Sequence, residues 1–494
     1  MLSFEQFTEA SKKYNVIAVT KHLFASTETP LGLYQKLCGS RFGTFLLESA
    51  EQGVWGRYSF IGVQSRGQLI ADHDEARFFG ANPLPGGMEL KSNPLDALDQ
   101  IQQSWVSAPT DFPLNSGLVG FVSWGAVNLI ENLPAPKAKD YEVPLLGFNQ
   151  FSELVVMDHK KSELILVSVV FLDGQDLTAA YQEASAKIAH LEAEISKPTE
   201  AIISDPSWPE PEFTKRTAKH DFLAQVEVAK EHVRAGDVFQ VVISQRFDQE
   251  IAADALDVYR ALRALNPSPY MYLTRWEDSS GEFAIVGSSP EALVKVTDGR
   301  AIMHPIAGSR PRGKDDASDI ALAEELLADT KEQSEHLMLV DLARNDLLKV
   351  CDPGSLRVTE YMQVHRFSHV MHLVSTVEGD IAKGRTPVAA LRATFPAGTL
   401  SGAPKPRALE IIHDLEPSYR GLFGGVVGYF DFSGNSDLAI AIRTALVRDG
   451  IARVQAGAGI VLDSVPESEY QETEAKAAVV LRAVAAANAM RKAR

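Results

Sequence analysis

Residues 326–348 read LLADTKEQSEHLMLVDLARNDLL, rich in Leu, Ala, Glu and Lys, with no glycine or proline inside, and this predicts one helix. Glu332 and Glu335 are three residues apart and share a face that helical steps continue to Leu339 and Leu342. Leucines on that face turn it inward, so two carboxylates are expected on the buried side, where each needs a positive partner. A second pair, Glu469 and Glu472, lies in PESEYQETEAKAAVVL near the C-terminus. That helix is expected to start at Ser464-Val465-Pro466-Glu467, a capping-box pattern with proline in the first turn. Four carboxylates converging from two helices suit a hard divalent cation such as Mg2+. The same residues also read as solvated surface glutamates, with Glu472 and Lys476 as an i,i+4 pair.

Elsewhere the pattern switches between periods of two and of 3.6. Residues 1–195 show a strand at 45–49 running into a turn, another piece at 56–62, hairpin-like runs up to 172 and a helix over 179–195. Residues 196–215 carry four prolines and little periodicity, so they are expected to link an N-terminal α+β region to a domain over 216–494. That domain opens with a helix stopped by Gly236, then a strand over 238–247 with Gln240, Val242, Ser244 and Arg246 on one face. A rigid turn, NPSPYM over 266–271, feeds another strand, and residues 283–288 form the next. A loop over 304–313, a strand over 370–377, a loop over 396–406, a helix to 414 and strands over 422–430, 438–447 and 451–462 follow. Antiparallel strands interrupted by helices make the expected class α+β.

The charge balance adds exclusions. Across 494 residues the net charge is 48 − 65 = −17, which argues against nucleic acid or an anionic membrane as main partner. An anionic small molecule would then need local positive charge. The two cysteines, Cys38 and Cys351, exclude a disulfide scaffold and a Cys-based zinc site and fit a reducing cytoplasm. The first residues have no apolar signal region, and no run approaches the roughly 18 apolar residues of a membrane span, so a soluble cytoplasmic protein is expected.

Several residues suggest chemistry. Ala439, Ala441, Arg443 and Ala445 share a face of the 438–447 strand, leaving space around a guanidinium that could grip a carboxylate, though a surface arginine on an edge strand reads equally well. Gly457 and Gly459 flank Ala458 inside a strand, a sign of close approach by a ligand or backbone. The GTLSGAPKP loop over 398–406 lacks the Gly-Lys-Ser/Thr ending of a nucleotide loop but precedes a helix whose N–H groups could hold a carboxylate. His372, mid-strand, reads by itself as a core histidine.

PIAGSRPRG over 305–313, SEHLMLVDLARND over 334–346 and GTLSGAPK over 398–405 resemble the chorismate-utilising enzymes, more narrowly the large synthase subunits of anthranilate synthases. The match covers about 221–483, and LLES over 46–49 with NPSPYM extends it to that family's tryptophan-sensing elements. The resemblance implies a two-sheet α/β sandwich with flanking helices and Mg2+-dependent conversion of chorismate and ammonia to anthranilate and pyruvate. It implies Mg2+ on Glu335 and Glu472, with Glu332 and Glu469 supporting through water. The ring carboxylate would rest on Gly457, Ala458 and Gly459, the enolpyruvyl carboxylate on Arg443, with Lys476 and Phe423 also at the substrate. Gly308, Ser309 and Thr399 would line the ring, Glu291 would be the general acid, His372 would serve pyruvate elimination and Gln240 would orient ammonia. Tryptophan would bind at Glu48, Ser49, Pro269, Tyr270, Met271 and Tyr429. Neither cysteine lies in a glycine-flanked elbow, so a separate glutamine amidotransferase subunit is expected to supply ammonia, in a heterotetramer.

Two positions depart from the family pattern: Ser309 replaces threonine, and Phe423 replaces tyrosine and removes one hydrogen bond to substrate. The alternatives are an aminodeoxychorismate synthase, which would have lysine at 307 where this chain has Ala307, and a non-catalytic tryptophan-binding regulator, suggested by Phe423. Isochorismate and salicylate synthases would have lysine at 240.

Overall fold

The computed structural model describes residues 1–24, 27–50, 56–72, 75–198, 203–205, 207–366 and 370–490. Among them, twenty-one strands join through one continuous hydrogen-bonded network. The long pair Tyr58–Asp72 and Leu146–Asp158 shows how it is built. Successive side chains of a strand point to opposite faces. Phe45, Phe60 and Leu69 accordingly enter one core, and Leu46, Ile61 and Val63 enter the other. The second core is closed by helices including Leu177–Ser196, Ala255–Leu265 and Pro466–Ala489. The first takes apolar residues from Pro94–Ser104, Thr330–Leu348, Pro387–Thr394 and Lys405–Leu415. The α+β sandwich with flanking helices is thus present, its strands in one connected network.

The sheet runs across the proline-rich 196–215 stretch. Gly117–Val122 pairs with Val426–Asp431, and Phe45–Glu48 pairs with Tyr270–Asp278. Strands from before and after the expected linker therefore lie side by side. Among the described residues, no helix is long and apolar enough to cross a membrane.

Four elements differ from expectation, each for a local reason. The helix expected over 326–348 is two helices, Asp316–Ala328 and Thr330–Leu348, because Asp329 leaves the helical conformation and accepts from Lys331 N and Glu332 N to cap the second. Its buried stripe is His336, Val340, Ala343 and Leu347, turned to the sheet by a 2.7 Å contact between His336 Nε2 and Ser375 Oγ. Glu332, Glu335, Leu339 and Leu342 stand half-buried at the stripe's edge.

The loop expected over 304–313 contains a strand, Ile306–Pro311, paired with Val370–Asp380 and irregular between Ala307 and Ser309. The strand expected over 438–447 is two, Ser436–Ile440 and Thr444–Arg448. The chain changes partners there: the first pairs with Ala292–Thr297 and the second with Gly281–Ser289. Arg443, in the break, has φ +49°, so the single alanine-flanked face does not form. The C-terminal helix starts at Pro466 without a side-chain cap, because Ser464 Oγ accepts from Val461 N instead.

Candidate active site

A cavity of about 460 Å³ opens where these irregular segments meet. Glu291 follows the strand Gly281–Ser289, and its half-buried side chain lines the cavity. Thr399, in the short turn Gly398–Leu400, donates from Oγ1 to Glu291 Oε1 at 3.0 Å. Burial pushes the carboxyl up to about 7, against the downward pull of the Thr399 hydroxyl and the Lys476 charge.

His372 Nδ1 lies 3.0 Å from the carbonyl of Gly308, which can only accept, so Nδ1 carries hydrogen and the neutral ring has its lone pair on Nε2. Burial lowers its affinity for a second proton. Gly308 sits at φ +69°, and a Cβ there would stand 3.0 Å from Glu332 Oε2, so glycine lets the bulge approach the carboxylate helix.

Arg443 lines the same cavity, and burial alone pushes its guanidinium down. Among the described residues no carboxylate lies within ion-pair distance of it. A half-buried cation so placed could receive an anion. Lys476 Nζ donates to Gly457 O at 3.0 Å and lies 2.6 Å from Glu472 Oε1.

Of the four helix carboxylates, Glu332 and Glu472 line the cavity, while Glu335 and Glu469 lie outside its lining. Arg310 Nη1 is 3.5 Å from Glu332 Oε1, and Lys331 Nζ is 3.8 Å from Glu335 Oε1. Burial raises Glu335, and the charges of Glu332, Asp329 and Glu472 raise it further. Burial likewise raises Glu469, with Glu472 adding. The charge of Glu472, on the C-terminal helix, thus reaches Glu335 on Thr330–Leu348. Among the described residues, no three His, Cys, Asp or Glu side chains are close enough to form a ready metal cluster. An all-carboxylate donor set with mutual repulsion still fits a hard cation such as Mg2+, which would relieve that repulsion.

Ser309, Phe423 and Gly457 line the cavity as well. Gln240, Ala458 and Gly459 do not. Ala458 is fully buried in the first core, because neighbouring residues of a strand face opposite sides. Gln240 lies across Gly459, where an added Cβ would meet its Nε2 at 2.4 Å. Gln455 and Asn266 line the cavity unforeseen. Gln455 is two residues before Gly457 on the same strand face, a relation the period of two already carries.

A second cavity, about 330 Å³, is lined by all six expected effector residues: Glu48, Ser49, Pro269, Tyr270, Met271 and Tyr429. Strand pairing places Glu48 opposite Met271. Ser49 Oγ is buried without a hydrogen-bond partner among the described residues. Glu48 accepts from Tyr259 OH at 2.6 Å, and Tyr270 OH donates to Asp437 Oδ1 at 3.0 Å. Pro269, Pro290 and Ile306 line both cavities.

An α+β sandwich with this anion-receptive, carboxylate-flanked cavity matches one class of protein: a family model described as chorismate binding enzyme covers residues 43–482, and the chain belongs to that family. Within it, the anthranilate synthase component 1 of Arthrobacter globiformis is 48% identical over 500 residues, covering 98% of this chain and 93% of that protein. That of Mycolicibacterium smegmatis is 46% identical, covering 98% and 94%. These relatives group the chain with the component 1 proteins of anthranilate synthase. The crystal structure of anthranilate synthase component I from Streptococcus pneumoniae TIGR4 superposes with TM-score 0.78 at 33% identity, covering 93% of this chain and 99% of that one. A menaquinone-specific isochorismate synthase from Escherichia coli, 20% identical, shares the fold with TM-score 0.70 over 97% and 98% of the two chains.

Proposed function

We propose that this chain converts chorismate and ammonia to anthranilate, pyruvate and water with Mg2+, that a glutamine amidotransferase subunit supplies the ammonia, and that tryptophan inhibits it. Glu291 carries the reading: a carboxyl pushed up to about 7 by burial, inside a 460 Å³ cavity whose wall includes an arginine with no carboxylate at ion-pair distance among the described residues.

Arg443 takes one substrate carboxylate, and the backbone beside Gly457 takes the other. Hydroxide leaves poorly unless protonated, and Glu291 holds a proton near neutral pH to give to the departing C4 hydroxyl while ammonia bonds to C2. The Thr399 hydroxyl orients that carboxyl. His372, neutral with its lone pair on Nε2, then removes the C2 proton as the C3–O bond breaks and pyruvate leaves. Glu335 and Glu472, with Glu332 and Glu469 supporting through water, would hold Mg2+, which would supply charge neutralisation at the ring carboxylate. Ala307 and Gln240 support attack by ammonia at C2, since neither can form a bond to the ring or deprotonate water near pH 7.

Ser49, whose buried hydroxyl has no hydrogen-bond partner among the described residues, supports an effector in the second cavity. The walls shared through Pro269, Pro290 and Ile306 supply a route by which occupancy of one cavity reaches the other. The deciding experiment supplies chorismate, Mg2+ and ammonium and identifies the product by mass. Anthranilate and pyruvate in equal amounts are expected, and a 4-amino product or isochorismate overturns the reading.

A further inference from the structure

Arg443 occupies a conformation that side-chain-bearing residues rarely adopt, φ +49°, between two strands with different partners. Its backbone is pinned, since Ser288 N donates to its carbonyl at 3.1 Å. Its side chain is longer and more mobile than the backbone that carries it, so something must aim the guanidinium.

Asn266 is placed to do so. Arg443 Nη1 donates to Asn266 Oδ1 at 3.3 Å. The direction of that amide is set from the other side. Asn266 Nδ2 donates to Ser268 Oγ at 3.1 Å and to Ser288 Oγ at 2.9 Å, and both serines are buried. Ser288 Oγ also donates to the Asn266 carbonyl, and Pro267 and Pro269 stiffen the turn that follows. With both amide hydrogens spent on hydroxyls, only the oxygen is left to face the arginine. That oxygen is neutral. A carboxylate there would cancel the charge that a substrate carboxylate must find, whereas an amide orients the cation and leaves its charge intact.

We propose that Asn266 is the positioning residue of the substrate-capture site, aiming Arg443 at a carboxylate of the substrate without neutralising it. This rests on the anionic substrate of the preceding section. The test compares wild type with Asn266→Ala, Asn266→Asp, Arg443→Ala and the Asn266→Ala/Arg443→Ala pair, reading KM, kcat and the calorimetric affinity for chorismate. Loss of the aiming bond should raise KM and the dissociation constant on the order of tenfold in Asn266→Ala, with kcat changed far less. Asn266→Asp, the closest isostere, should bind more weakly still, because its charge competes with substrate. In the Arg443→Ala background, Asn266→Ala should add nothing to KM. A merely structural asparagine gives the reverse pattern, with Asp nearer to wild type than Ala and the two losses multiplying, and that result overturns the proposal. Should the wild type bind chorismate but form no anthranilate, the reaction assignment falls while the calorimetric cycle still decides the role of Asn266.

Discussion

Glu291 shows how one residue's surroundings set both chemistry and stability. Its carboxyl moves from the ordinary 4.5 to about 7 because protein surrounds it on the cavity wall. The protonated form does the work, so turnover should fall as pH rises through about 7. Glu291→Gln should lower kcat by roughly 10²–10⁴-fold, the usual worth of a placed general acid. Stability falls with rising pH as well. The folded state holds this proton more tightly than the unfolded chain, so the stabilisation is complete below about pH 4.5 and is lost as pH rises through about 7. The glutamine variant should therefore be more stable than wild type at pH 8 by on the order of 2 kcal/mol, with the advantage gone near pH 4. Melting temperatures at the two pH values check this, and equal shifts at both would place the carboxyl in an ordinary solvated setting.

Pairs of elements bring about what no residue does alone. Thr330–Leu348 and Pro466–Ala489 carry the opposed carboxylates. Mg2+ should raise the melting temperature of wild type, as any ligand specific to the folded state does, and Glu335→Gln or Glu472→Gln should abolish both that rise and Mg2+-dependent turnover. Wild-type behaviour in either variant removes these residues from the ion's site. The strand pair Gln240–Glu250 and Ile451–Ile460 offers a finer case. A methyl group on residue 459 would stand 2.4 Å from Gln240 Nε2, the far end of a flexible side chain, so Gly459→Ala should fold and push the amide aside. Its kinetic defect should match that of Gln240→Ala, and combining the two should add little. Full additivity would mean that Gly459 serves some contact other than Gln240.

Across the whole molecule, two cavities share the wall residues Pro269, Pro290 and Ile306, the path by which an effector in the second would act on the first. Ser49→Phe should fill the effector cavity and relieve tryptophan inhibition with little loss of turnover; a wild-type rate that saturating tryptophan leaves unchanged refutes the regulatory assignment. The purified chain should use ammonium and not glutamine until an amidotransferase subunit is added. Glutamine consumption by the chain alone would count against a separate donor.

Much of this protein is written locally. Periods of 2 and 3.6 mark long elements such as Leu177–Ser196 and Ile451–Ile460, and Gly236 ends its helix in the left-handed conformation at φ +82°. The motifs at 305–313, 334–346 and 398–405 likewise sufficed to point to the family. What the tertiary structure alone decided depends on neighbours far along the chain. The 438–447 segment breaks because its two halves answer to different partner strands, and the break is what lifts Arg443 out of the sheet. The carboxylates of the first helix lie at the edge of its buried stripe because His336 is held down by Ser375, 39 residues away. Glu48 meets Met271 across a strand pair that joins a segment before the proline-rich stretch to one after it, which no local pattern can register. Sequence periodicity reports which face of an element is apolar; which other element meets that face is set by packing over the whole chain.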